Sequence, residues 1–301
     1  MRASIGYVYS VPNLRRVLFT RGTMRRWLVT LVKLTPIIAS ASLISILGLI
    51  VFRNVMPTDV LATVSGEMGN YLQTLGGIYA VLLAFVVYAV WGQFNDVRTY
   101  IDREASAIVD LHRTASNLPA STRAAIQNGL SQYIDAVLRD EWQAMTCRDE
   151  AAIERVGEKL DTVWLAVHAC QPCNDGQHTV YAEVITQFNQ LMDLRTVRLS
   201  AARARVPRIM NILLYTGAVL VTGSIYLMHV PAFWLHATIT AALAGAISHV
   251  LYLIHDLDEA FAGEGVVSKE PFERARQSCV RLSHLVATHD APKPASLASD
   301  G

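Results

Sequence analysis

The stretch IMNILLYTGAVLVTGSIYLMHVPAFWLHATITAALAGAISHVLYLIH, residues 209–255, runs for 47 residues without an Asp, Glu, Lys or Arg. A helix crossing the roughly 30 Å hydrocarbon core of a bilayer needs about 20 apolar residues, so this run is too long for one crossing and suits two. Its middle supplies the break: Met228-His229-Val230-Pro231, where a proline inside a helix costs roughly 3 kcal/mol. The expected arrangement is a helical hairpin with spans near 209–229 and 232–254. Two shorter runs of the same kind lie upstream. Residues 34–52, between Lys33 and Arg53, and residues 68–95, between Glu67 and Asp96, each fit one crossing. Four such helices in one soluble chain would be unusual. A cleaved signal peptide fits no better, because a 33-residue basic leader precedes the first run and no small-x-small cleavage pattern follows it. The fold class expected is an all-α integral membrane protein, with four transmembrane helices and a helical cytoplasmic insert between spans two and three.

The chain of 301 residues is 52% apolar and 17% charged, with 26 Lys+Arg against 25 Asp+Glu. That near-neutral balance argues against a nucleic-acid-binding domain, which is usually strongly basic. Position matters more than the sum. Residues 1–33 carry Arg2, Arg15, Arg16, Arg21, Arg25, Arg26 and Lys33 with no acid. Cytoplasmic flanks retain Lys and Arg, so the N-terminus is expected inside, and four crossings return the C-terminus to the same side. Arg195, Arg198, Arg203, Arg205 and Arg208, ahead of span three and without an acid among them, read as a second signal of the same sign. Within 14–27, Leu14, Leu18 and Trp27 alternate with arginines. That segment fits either an interfacial helix or a basic leader that only sets topology. The expected organisation is a leader over 1–33, spans one and two within 34–95, the insert over 96–208, the hairpin over 209–255 and a cytoplasmic tail over 256–301.

Half of all the charge falls in residues 96–208, and the pattern there is helical. Val97, Ile101, Ile108, Leu111 and Ala115 continue span two beyond the membrane, until Leu118-Pro119 stops the helix. Ile126, Leu130, Ile134, Leu138 and Met145 mark a second helix. Ile153, Val156, Leu160, Val163 and Val167 mark a third. Val184, Phe188, Leu191, Leu199 and Ala202 mark a fourth, running through the arginines towards span three.

Four groups of residues carry possible chemistry. Cys170-Gln-Pro-Cys173 lies between His168 and His178, with Cys147 upstream. Two thiolates and two imidazoles suit zinc, but a single CxxC with close flanking histidines fits an interhelical turn equally well. A redox role would need a βαβ context that the pattern lacks. His249, Tyr252 and Asp256 fall on one face at the end of span four, with His236 and His255 nearby. Ionisable groups at membrane depth point to proton or ion sensing, whereas near the interface they also reach headgroups. Gly77, Ala80, Ala84, Tyr88, Trp91 and Asn95 form a small-to-polar stripe on span two, and Ala237, Ala241 and Gly245 form one on span four. Such stripes serve either close helix packing or a pore wall that gates by dewetting. No P-loop, GxGxxG, HExxH or GxSxG occurs, so neither an enzyme nor a cofactor is expected.

Two segments resemble a known family. The first is Gly77-Ile-Tyr-Ala-Val-Leu-Leu-Ala-Phe-Val-Val-Tyr-Ala-Val-Trp91, then Asn95-Asp96, Arg103-Glu104-Ala105, Leu111-x-Arg113-x-Ala115 and Leu118-Pro119, continued by Tyr133 and Glu141-Trp142. The second is His255-Asp256-Leu257-Asp258-Glu259-Ala260-Phe261-Ala262-Gly263-Glu264, then Val267-Ser268 and Pro271-Phe272. Together, over roughly 70–275, they resemble the bacterial bestrophin-like membrane family, and more distantly the bestrophin anion channels. Ala260 stands where that family usually has proline, which implies a looser turn. The resemblance implies a bacterial inner-membrane protein, a homo-oligomer of five subunits and a path for small inorganic anions. By that carry-over Gly77, Ala80, Ala84 and Tyr88 face the pore. Asp256, Asp258, Glu259 and Glu264 lie roughly where bestrophins bind calcium, and carboxylates suit a hard cation. The rival reading is a non-conducting, membrane-anchored scaffold or sensor whose cytoplasmic bundle binds a partner.

Overall fold

A computed structural model describes residues 21–56, 58–172, 174–262 and 266–290. The leader residues Leu14 and Leu18, Cys173 and Glu264 lie outside the described residues, as does the side chain of Trp27. The elements run α1 (Arg21–Val55), α2 (Thr58–Thr114), a 3-10 turn (Ala115–Asn117), α3 (Ala120–Ala136), a π turn (Val137–Glu141), α4 (Trp142–Cys147), α5 (Glu150–His168), α6 (Asp175–Arg203), α7 (Arg208–Tyr226), α8 (Phe233–Asp258) and α9 (Glu270–Asp290). No strand occurs among the described residues. Four helical runs are long and apolar enough to cross a membrane: α1 from Leu34, α2 from Met68, the run ending in α7, and α8.

Local chemistry sets the helix ends. After α2, Leu118 is extended (φ −85°, ψ 166°) because Pro119 excludes it from the helical region. Asp149 caps α5 by accepting from Ala152 N at 3.0 Å, and Asn174 caps α6 by accepting from Gln177 N at 2.8 Å. Each such cap is worth about 1 kcal/mol. The fourth insert helix does not run into span three. Ala204 is already extended (ψ 137°), since Pro207 lies just ahead, and the freed Val206 N–H donates to Asp258 Oδ1 at 2.8 Å. The second insert helix is also interrupted, with the π turn between α3 and α4. The segment expected as a tail contains a further helix, α9.

The chain divides into two compact units, residues 1–87 with 207–254, and residues 88–206 with 255–301. The first holds the apolar helices. Its core of Tyr79, Val221 and Ile247 is packed by Leu72, Leu75, Leu82, Leu83, Ala218, Leu243 and Leu251. Its outer faces leave Ile44, Val51, Ile209, Val219 and Trp234 exposed, which suits acyl chains rather than water. Lipid offers helices no hydrophobic drive to associate, so packing and interhelical hydrogen bonds carry the contacts. Tyr79 OH donates to Leu214 O at 2.9 Å, Tyr226 OH to Ser45 O at 2.9 Å, and Ser42 Oγ to Ala241 O at 3.0 Å. Glycines make room for these side chains. A Cβ on Gly217 would lie 2.5 Å from the Tyr79 ring, and one on Gly245 would lie 3.1 Å from Ile38.

The second unit is a helical bundle with an apolar core. Ile101, Ile108, Leu111, Ile126, Leu130, Ile134, Leu160 and Leu191 are fully buried, as their spacing predicts. Helices α3 and α5 approach closely at Gly129, where a Cβ would meet Val163 Cγ2 at 2.6 Å.

Gly217→Ala is expected to destabilise the membrane unit by about 1–3 kcal/mol, the usual range for overpacking. Combining it with Tyr79→Ala should recover part of that loss, because the clash partner is then gone. Thermal unfolding of the detergent-solubilised protein measures both.

Candidate functional site

Helix α2 has two unlike faces. Tyr79, Val86, Val90, Phe94, Val97 and Ile101 are buried at intervals of seven, four, four, three and four. The opposite face shows Gly77, Ala80, Ala84 and Tyr88, all exposed, beside Ile78, Phe85 and Trp91. Tyr88 is 78% exposed and Phe85 68%. Among the described residues, nothing beyond the helix's own neighbouring backbone lies within 4 Å of the place a Cβ would take on Gly76 or Gly77. Close packing within the chain therefore does not account for the small residues here, in contrast to Gly245 on α8, where it does. The stripe carries no charge from 68 to 95 and ends in a phenol.

The second unit holds a buried charge cluster. Arg198 on α6, Glu104 on α2 and Glu141 in the π turn are all fully buried. Arg198 Nε donates to Glu104 Oε2 at 2.5 Å, and its Nη2 to Glu141 Oε2 at 2.6 Å. Tyr133 OH donates to Glu104 Oε1, and Arg195 Nη2 to Glu141 Oε1. Arg195 Nη2 also reaches Ile153 O at 2.9 Å, passing Gly157, where a Cβ would sit 3.4 Å from the guanidinium. Two carboxylates thus face two guanidiniums, and a phenol fills the remaining acceptor. Burial, with the Glu104 and Glu141 charges behind it, pushes the Tyr133 phenol well above its ordinary value near 10, so it remains a donor at physiological pH.

The chain after α8 closes over this cluster. The Phe272 ring lies 5.7 Å from the Arg198 guanidinium carbon. Phe261 and Phe272 meet Trp142 edge-on at 5.4 and 6.1 Å. Lys269 Nζ donates to Leu138 O at 3.0 Å, and Thr146 Oγ1 to Phe261 O at 2.9 Å. Val267 N donates to Ala260 O at 3.0 Å.

The remaining described candidates have surroundings of their own. Cys170 is buried, His168 stacks beside Trp164 at 6.3 Å and His178 is exposed. Asp258 is engaged by Val206 N, while Glu259 lies 3.4 Å from Arg148. Asp256 is partly buried. Among the described residues, no three His, Cys, Asp or Glu groups come together as a metal site. His236 is buried with Nε2 2.9 Å from Ile225 O, whereas His249 and His255 are exposed.

Sequence reading missed the cluster by assigning Arg195 and Arg198 to the membrane flank. Both face the bundle interior; Arg203 and Arg208 are the exposed arginines of that run. A signal was present: Arg195 and Arg198 sit three apart on the same helix as Val184, Phe188 and Leu191, in phase with its apolar face.

Residues 39–272 match the family of Bestrophin-like domains. Among solved structures, a bacterial bestrophin homologue from Klebsiella pneumoniae has the same fold, with a TM-score of 0.61 and 14% identity, covering 82% of this chain and 98% of that one. A point variant of the same Klebsiella homologue gives a TM-score of 0.62 at the same identity and coverage. No curated protein matches the chain.

Arg198→Met should cost about 3–5 kcal/mol in unfolding free energy, because it leaves two buried carboxylates without their shared cation. Arg203→Gln, which breaks an exposed pair with Glu150, should change stability by less than about 1 kcal/mol. Thermal melts in detergent compare the two. Burial also pushes the Cys279 thiol up to about 11, leaving roughly one thiolate in a thousand at pH 8. With Cys173 replaced by Ser, native-state alkylation should therefore fall on exposed Cys147 and spare buried Cys170 and Cys279. Peptide mass spectrometry reads the outcome.

Proposed function

Because the chain belongs to the bestrophin-like family, we propose that it is a homo-oligomeric channel of a bacterial inner membrane, passing small anions along the exposed face of α2. The observation that carries this reading is the stripe of Gly77, Ala80, Ala84 and Tyr88. It is apolar, small and uncovered within one chain. A ring of copies, five by family resemblance, covers it from the sides and leaves a central apolar neck that conducts when wetted. With both termini in the cytoplasm, the charged bundle forms the inner vestibule. Exposed Arg98 and Arg208 flank the apolar runs and raise the local anion concentration at that mouth.

Purified protein in planar bilayers tests the proposal under a KCl gradient. The expected reversal potential moves towards that of chloride, and Ala84→Trp lowers unitary conductance several-fold, while Val51→Trp on the outer face of α1 leaves it unchanged. A reversal potential on the potassium side overturns the anion reading. Absence of conductance together with a monomeric mass in detergent overturns the channel reading in favour of the scaffold.

A further inference from the structure

The last turn of α4, the start of α5 and the end of α6 enclose a cavity of about 250 Å³ lined by Met145, Arg148, Glu150, Ile153, Leu199, Ala202, Arg203 and Arg205. Its lining is two-natured. Met145, Ile153, Leu199 and Ala202 make an apolar floor, and three arginines stand against a single carboxylate, Glu150, which pairs with Arg203. Outside the lining, Glu259 approaches Arg148 at 3.4 Å, a long contact between partly exposed groups. Within the lining, three guanidiniums face one carboxylate, with Glu259 and Asp258, the latter bonded to Val206 N beside Arg205, just outside it.

Two features set these arginines apart from ordinary surface charges. Arg205 is braced rather than free: its Nη1 donates to Ala202 O at 2.9 Å and to Ala204 O at 2.7 Å. Its Nε is shielded from solvent and has no acceptor among the described residues, which is costly for a cationic donor. Arg148 is the one non-glycine residue with positive φ among the described residues (φ 59°, ψ 38°), and it ends α4 in the left-handed region. Glycine or asparagine is the usual occupant of that position. An arginine there accepts a backbone penalty while setting its guanidinium at the cavity rim.

We propose that this cavity binds a phosphate ester, with Arg148 and Arg205 as its main donors and the apolar floor holding the carbon stem. Guanidinium forks match phosphate oxygens two at a time, which a compact ammonium does not. The floor favours an esterified phosphate over the bare ion. Arg205 stands three residues before α7, one of the membrane-crossing runs, so the source is either an anionic lipid headgroup or a soluble phosphate ester. Binding is independent of conduction, and its failure leaves the channel reading untouched.

The test uses the full chain. Nanodiscs of phosphatidylcholine alone are compared with nanodiscs containing phosphatidylglycerol, and detergent-solubilised protein is titrated with glycerol 3-phosphate, with chloride at equal ionic strength as reference. A saturable rise in melting temperature is expected in one arm, and that arm identifies the source. Arg205→Gln should weaken the response at least tenfold. Arg148→Gly should weaken it similarly while raising the ligand-free melting temperature by about 2 °C, since glycine adopts positive φ without penalty. That split separates a binding role from a structural one. Arg113→Gln, on the exposed surface of α2, should leave the response intact. The proposal is overturned if neither arm responds, if Arg205→Gln and Arg148→Gly respond as the unaltered chain does, or if Arg113→Gln weakens the response equally.

Discussion

A guanidinium taken out of water must be matched in charge and in geometry, and Arg198 imposes that demand on everything around it. It is fully buried and always protonated. One carboxylate would neutralise it, but its fork offers more donors than one carboxylate can take. Glu104 takes Nε, Glu141 takes Nη2, and the Met145 sulfur lies 3.3 Å from Nη1. The second carboxylate then needs its own cation, which Arg195 supplies from one turn away on the same helix. These contacts join α2, the π turn and α6 at one point. The π turn belongs to the same logic, since it carries Glu141 and the buried Val137 inward together. Such a cluster adds little net stability compared with a hydrophobic core of equal volume, but it penalises any arrangement that separates its members.

The two units are held by different forces because they meet different solvents. In the charged bundle, burial of Ile, Leu and Val from water drives association, so the apolar periodicity is strong. In the membrane unit the surroundings are as apolar as the side chains, and association falls to shape and hydrogen bonds. Tyr79 against Gly217 and Tyr226 against Gly48 are such contacts, each a ring laid on a glycine with its hydroxyl bonded to a neighbouring helix or its backbone. Exposed apolar residues there need no further explanation. An exposed glycine inside a helix does, and Gly77 is one.

The architecture was legible where one signal dominates. Charge-free runs located the membrane helices, and Pro119 and Pro231 located breaks, because both are local effects of the chain itself. The core faces of α3, α5 and α6 followed from spacing. What escaped depends on pairing across sequence distance. Arg198 and Glu104 are far apart in the chain, and nothing local distinguishes a buried arginine from a flanking one. The helix α9 escaped because its apolar face is interrupted by arginines and serines, and its anchoring contacts to Trp142 and Leu138 come from the distant α3–α4 corner. Several residues that carried the family resemblance, namely Glu104, Tyr133, Glu141, Trp142, Phe261 and Phe272, prove to be the cluster and its cover. The motif recorded a packing solution whose chemistry was not visible until the helices met.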